Sequence, residues 1–139
     1  MSKKQDSVAR FTLSMDESLL EYLDKRIDES GYPSRSEYVR DLIRQTMVDD
    51  KWDSDKEAIG VLTIVYDHHH RDLADKMVEI FHTHLVNVVC NLHVHITHDN
   101  CLETIILRGK GSEISRISQE VGGLRGVRHS SLSKTAAFE

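Results

Sequence analysis

The sequence predicts an α+β protein in two parts: a β-α-α unit over residues 1–50 and a β-α-β-β-α-β unit over 58–139, joined by a charged linker over 51–57. Three observations carry this reading. Residues 8–15 alternate apolar and polar side chains and are followed by two stretches of helical spacing. Residues 58–67 form a β-rich, largely apolar run of the kind found in buried strands. Residues 92–103 alternate again through a polar turn, which reads as a hairpin.

Bulk properties narrow the classes. The chain has 139 residues, 29% of them charged, a single Pro and a net charge of −5. No run of about 18 apolar residues occurs, so no membrane span is expected. Residues 1–6 lack the apolar core of a signal peptide. Two cysteines, Cys90 and Cys101, do not make a secreted disulfide framework and fit a reducing cytoplasm. The acidic balance does not advertise a nucleic-acid partner, so any DNA-binding role must rest on local placement of basic residues.

In the first unit, Phe11, Leu13 and Met15 share one face of the predicted strand, and Arg10, Thr12 and Ser14 the other. A helix follows, with Ser14 or Asp16 as its N-cap and Leu19, Leu20, Leu23 and Ile27 as its stripe. Gly31 ends it. After Pro33, Ser34 and Glu37 have capping-box spacing, and a second helix buries Val39, Leu42, Ile43 and Met47 before fading at residues 49–50. One strand and two helices cannot close a core alone. An intertwined dimer answers this, two copies pairing their strands into an antiparallel ribbon above four helices.

That order resembles the ribbon-helix-helix (CopG-like) repressor family. The resemblance implies that Arg10, Thr12 and Ser14 face bases in the DNA major groove, and that Ser34 and Arg35 grip a phosphate at a helix N-terminus. Read without it, Ser14 is a helix cap and the Arg-x-Thr-x-Ser face a solvated strand edge. Residues 1–50 hold 8 Lys+Arg against 11 Asp+Glu, a net of −3. Because nonspecific affinity comes mainly from phosphate neutralisation, DNA binding is expected to be weak unless something strengthens it.

In the second unit, a helix is expected from His68 to about His84, with Leu73, Met77, Ile80 and Phe81 or Leu85 inward. The hairpin's second strand runs through Ile105, Ile106 and Leu107. A helix from residues 111–112 turns Ile114, Ile117 and Val121 inward, and a last strand covers Val127 to about Leu132. This is the split βαβ, or ferredoxin-like, order, with helices on one sheet face. Leu92, Val94, Ile96 and Cys90 are expected beneath those helices. The face carrying His93, His95, Cys101, Val89 and Ile105 is expected to lie opposite and to need cover from another subunit.

Nine histidines occur, eight of them between His68 and His98. His68, His69 and His70 read as solvated. His93 and His95 differ, since alternate strand positions put both imidazoles on one face. A three-residue loop over 98–100 sets Thr97 opposite Cys101 and His95 opposite Glu103, bringing His93, His95, Cys101 and Glu103 to one surface. A two-residue loop over 99–100 would send the cysteine to the apolar side. A His-x-His-x5-Cys spacing with His82 upstream indicates metal binding, and imidazoles with one thiolate suit zinc, copper or nickel.

With the first unit, this pattern resembles the nickel-responsive transcriptional regulator family NikR. The match runs from about Val8 to Leu132 and includes Arg35, Ser36 and Glu37, Arg40 and Asp41, Tyr66, Arg71, Asp72 and Leu73, His98 with Asp99, and Gly126 to His129. The resemblance implies an ACT-like domain that assembles a homotetramer, a dimer of dimers. It implies one square-planar Ni(II) per subunit, held by His93, His95 and Cys101 of one subunit and His82 of its neighbour. Tyr66 and Glu103 would orient those ligands. Glu37 and Asp41 would hold a second cation, potassium. Arg71 would reach DNA phosphates, with His68 and His70 near it. Thr83 and Leu85 interrupt the His-rich run of better-known members, which argues against auxiliary metal sites there. The implied mechanism is linkage: Ni(II) favours the state that binds palindromic operator DNA and represses nickel-uptake genes. Two other functions compete: a ribbon-helix-helix repressor or antitoxin sensing another metal or a small ligand, and a zinc enzyme with Glu103 as base.

Overall fold

In the computed structural model, which describes residues 8–138, the chain forms helices α1 (Glu17–Ser30) and α2 (Arg35–Asp53), then strand β1 (Glu57–Asp67) and helix α3 (Leu73–Thr83). Strands β2 (Asn87–His95) and β3 (Asn100–Lys110), helix α4 (Gly111–Gly122) and strand β4 (Val127–Thr135) complete it. The readings placed on residues 1–7 lie outside the described residues. The chain divides into two compact units between Leu42 and Ile43, within α2. No helix of the described residues is long and apolar enough to cross a membrane.

In the first unit, Gly31 ends α1 at φ 69°, its N–H donating to the Asp28 carbonyl. That left-handed backbone is open to glycine without a Cβ penalty. Asp16, not Ser14, is the N-cap of α1. Ser34 caps α2, its hydroxyl accepting the Glu37 N–H at 3.2 Å. Residues 8–16 form no strand within the chain; strand hydrogen bonds need a second strand's backbone groups, and residues 8–16 are not part of the sheet. Of the two predicted stripes only Ile27 is buried, while Leu19, Leu42, Ile43 and Met47 stand exposed in the single chain.

The first three residues of the predicted charged linker, 51–53, are helix, and its last, Glu57, opens β1. α2 continues to Asp53 because Trp52, 5% exposed, is a core residue of the second unit. The Gly111 backbone passes so near that a Cβ there would lie 3.0 Å from the indole ring. The indole N–H donates to the Thr135 carbonyl at 3.0 Å, and the Lys134 ammonium stands 5.3 Å from the ring centroid. Asp55, at φ 52°, closes the turn and accepts bonds from the Ser112 N–H and hydroxyl, capping α4 from outside.

The sheet has order β2-β3-β1-β4 with every pair antiparallel, as the split βαβ arrangement requires. Burial alternates along β1 and β3. Leu62 and Ile64 of β1 and Ile105 and Leu107 of β3 are buried, in one core with Leu73 and Met77 of α3 and Ile114, Ile117 and Val121 of α4. A Cβ on Gly60 would fall 2.7 Å from Ile114 Cγ2, so this glycine lets α4 seat on β1.

The two sheet faces are the reverse of the sequence expectation. Cys101, Glu103 and Ile105 lie on the helix-covered face, whereas Leu92, Val94 and Ile96 stand 62%, 41% and 48% exposed on the open one. Cys90, expected in the core, is exposed opposite Ile106. The reason is topological: β2 is an edge strand whose residues are all exposed, so its apolar side chains do not mark the core face. α3 begins only at Leu73, because Asp67 Oδ1 accepts the His69 N–H and turns the chain first. Leu85, offered as an alternative inner residue, is 92% exposed.

Candidate metal centre

The hairpin register is displaced by two residues from the expected one. His95 lies opposite Cys101 and His93 opposite Glu103, with a loop over residues 96–99. Thr97 explains the longer loop: its hydroxyl oxygen accepts the Asp99 N–H, the Asn100 N–H and the Asn100 side-chain amide. A shift of two keeps every side chain on its face, so His93, His95, Cys101 and Glu103 still share a surface. The change brings the thiol and an imidazole directly together, with Cys101 Sγ 3.2 Å from His95 Nδ1.

β1 supplies the next layer. Tyr66 pairs with Cys101 and lies beside Glu103, to which its hydroxyl donates at 3.2 Å. The hydroxyl is also 3.3 Å from His93 Nδ1. A phenol has one hydrogen, so donation to Glu103 leaves its oxygen to accept from His93 Nδ1–H. His93 Nε2 is then the ring nitrogen with a lone pair for a metal. Asn91 completes the set, donating to Glu103 Oε1 at 2.8 Å. Glu103 is 7% exposed and holds both partners, as a buried carboxylate must. Burial, then the Glu103 charge, pushes the Tyr66 phenol up to about 12, so it stays a donor. Burial likewise raises the Cys101 thiol, with Glu103 and Asp67 adding to the effect.

A third donor was missed. His68 Nδ1 lies 3.6 Å from Cys101 Sγ, and His68, His95 and Cys101 form a group able to hold one ion. The signal was present in the β1–β3 pairing: His68 follows β1 just past Tyr66, the residue paired with Cys101. A second, fully exposed group joins His69, His98 and Asp99, where Asp99 is held low by His98 and then His69. His82 lies exposed in the last turn of α3, outside both groups.

The remaining predicted residues are dispersed. Arg10, Thr12 and Ser14 are exposed in the segment before α1, and Arg71 is exposed just before α3. Arg35 makes a two-bond pair with Asp24, at 2.7 and 2.6 Å. Asp41 accepts from the Tyr32 hydroxyl, and Glu37 accepts from Arg40.

Residues 59–135 match the family described as NikR C terminal nickel binding domain, and residues 9–47 match the ribbon-helix-helix proteins of the copG family. Together these define a metal-responsive, DNA-binding transcriptional regulator, not an enzyme. A relative from Campylobacter concisus (strain 13826), described as "Putative nickel-responsive regulator", is 51% identical over 132 residues, 94% of this chain and 96% of its own. One of the same description from Helicobacter acinonychis (strain Sheeba) is 48% identical over 142 residues, 99% of this chain and 96% of its own. The chain belongs to the NikR family of nickel-responsive regulators. Its βαββαβ fold is shared with the ACT domain from GTP pyrophosphokinase of Chlorobium tepidum, at TM-score 0.50 and 8% identity over 56% of this chain and 100% of that one.

Proposed function

We propose that this regulator represses nickel-uptake genes by binding palindromic operator DNA when Ni(II) is held between subunits of a dimer of dimers. His93, His95 and Cys101 of one subunit and His82 of its neighbour would hold the ion. The observation that carries the reading is the alignment of His95 with Cys101 at 3.2 Å, beside His93 fixed by Tyr66. Two imidazoles and a thiolate are the donors that suit nickel, and not magnesium or calcium. When bound, Ni(II) supplies a bridge that ties two subunits into one arrangement. The chain's part is to preset the donors: Glu103 holds Tyr66, Tyr66 holds His93, and the sheet pairing holds His95 against Cys101. DNA is then met by Arg10, Thr12 and Ser14 at the bases and by the α2 N-terminus, capped by Ser34, at a phosphate. Arg71 adds a phosphate contact, and Arg35 joins by sharing its guanidinium with Asp24. The same reading gives Glu37 and Asp41, one turn apart on α2, to a potassium ion, which would replace or share the bonds from Arg40 and Tyr32.

Complementation tests the shared site. H82A and C101A proteins are each expected to bind nickel poorly, and co-assembled oligomers to regain a fraction of sites, because each supplies what the other lacks. No recovery on mixing would contradict a site shared between subunits. The proximity of His68 to Cys101 favours a second reading, an ion held within one chain by His68, His95 and Cys101. In that case H68A would lose binding and H82A would keep it.

Two further outcomes follow from the geometry. Y66F and E103Q are each expected to weaken nickel binding about 10–100-fold, the usual effect of removing a partner that orients a ligand; competition with a chelator of known affinity measures it. Nickel affinity should also fall as pH drops. The Cys101 thiol lies above its ordinary value, so binding must release its proton, and lower pH opposes that release. Metal ligands must be free of protons to bind, so the fall is expected between about pH 8 and pH 5. A flat titration over that range would contradict it.

A further inference from the structure

His84 is held in a way the metal centre does not explain. It is the C-cap of α3, and its side chain is 8% exposed. Nδ1 lies 2.9 Å from Glu113 Oε2 and Nε2 lies 3.1 Å from Glu120 Oε2. Each ring nitrogen thus faces a carboxylate oxygen of one helix, and the ring is held at both ends at the carbonyl end of α3.

Both carboxylates come from α4, whose Ile114, Ile117 and Val121 are fully buried, and Glu113 is steadied by Arg116 at 3.3 Å. α4 is therefore a fixed reference. α3 is anchored unevenly: Leu73 and Met77 are buried, while Ile80 and Phe81 are only partly so. Its last turn closes with the His84 N–H donating to the Ile80 carbonyl at 3.3 Å, and Thr83 and Leu85 on either side are exposed. Residues two apart on a helix stand about 200° apart around its axis. With His84 turned in toward α4, His82 is turned out, toward whatever packs on that side.

We infer that His84, gripped by Glu113 and Glu120, is a positioning residue that fixes the last turn of α3 and so presents His82 to the metal. The inference rests on the reading of His82 as a ligand. Its function is to order His82 before nickel arrives, so that binding does not have to supply that ordering.

The test uses the full-length protein with Ni(II) alone, read by visible absorption against a competing chelator and by amide hydrogen exchange of the metal-free protein. H84A and the E113Q/E120Q double variant are each expected to weaken nickel binding about tenfold, the size expected when a charge-assisted pair that preorganises a ligand is lost. The thiolate-to-nickel band should keep its position, because the ligands are unchanged. Exchange at residues 80–84 should quicken. The triple variant H84A/E113Q/E120Q should be no worse than either parent, since the three groups act as one unit. Unchanged nickel affinity in H84A, whatever its exchange, would overturn the inference, as would a shifted band, which would make His84 itself a ligand. H82A is the control that separates the two levels. If H82A keeps both band and affinity, the ligand reading fails and the inference falls with it; if H82A loses them while H84A does not change, the clamp alone is wrong.

Discussion

Replacing Cys101 with alanine is expected to lower nickel affinity by more than about a hundredfold, beyond the loss seen when only an orienting partner is removed. Nickel-dependent DNA binding should go with it. The fold should survive, because the contribution of Cys101 to packing is small in volume and its backbone keeps its pairing with Tyr66 on one side and His95 on the other. Cys101 is fully buried, so alanine leaves at most a small void among Tyr66, Ile64 and the other core residues. Circular dichroism and the oligomeric state of C101A should therefore match the parent while its nickel titration does not. A folded C101A protein with parental nickel affinity would remove the thiolate from the site.

Trp52→Ala should produce the largest loss of stability, about 3–5 kcal/mol, as for other buried aromatic truncations. Set against a typical domain stability of about 5–15 kcal/mol, that is a large share. Three contacts are lost at once: the ring against the Gly60 and Gly111 backbone, the indole bond to Thr135, and the Lys134 cation over the ring. Trp52→Phe keeps most of the ring and loses the N–H bond, so about 1 kcal/mol is expected from it. Urea unfolding of the three proteins checks both values. Equal midpoints for W52A and the parent would mean that the end of α2 is not part of the second unit's core.

Much of this was legible because side-chain periods of 2 and 3.6 mark strands and helices. The order β1-α3-β2-β3-α4-β4 follows from those periods, as does the shared face of His93, His95 and Cys101, which a two-residue change of register leaves intact. What periodicity does not show is which face the helices cover. β1 is apolar on both sides, and Leu92 and Val94 look like core residues while lying on an exposed edge strand. Buried Cys101 and Glu103 mark the covered face instead, and the bonds from Tyr66 and Asn91 make the burial of the Glu103 carboxylate tolerable. Trp52 was hidden by its charged neighbours, since a single aromatic among Asp and Lys carries no period. His68 and His84 depend on contacts between distant segments, β1 with β3 and α3 with α4, which no local pattern encodes.

In the proposed function, one His/Cys site couples nickel to DNA. That coupling is tested by titrating Ni(II) into the full-length protein in the presence of operator DNA, following visible absorption and DNA retardation in the same samples. A thiolate-to-nickel band that rises together with DNA retardation, and the absence of both in C101A, is the predicted result. Retardation that is complete before the band appears, or that persists in C101A, would contradict it.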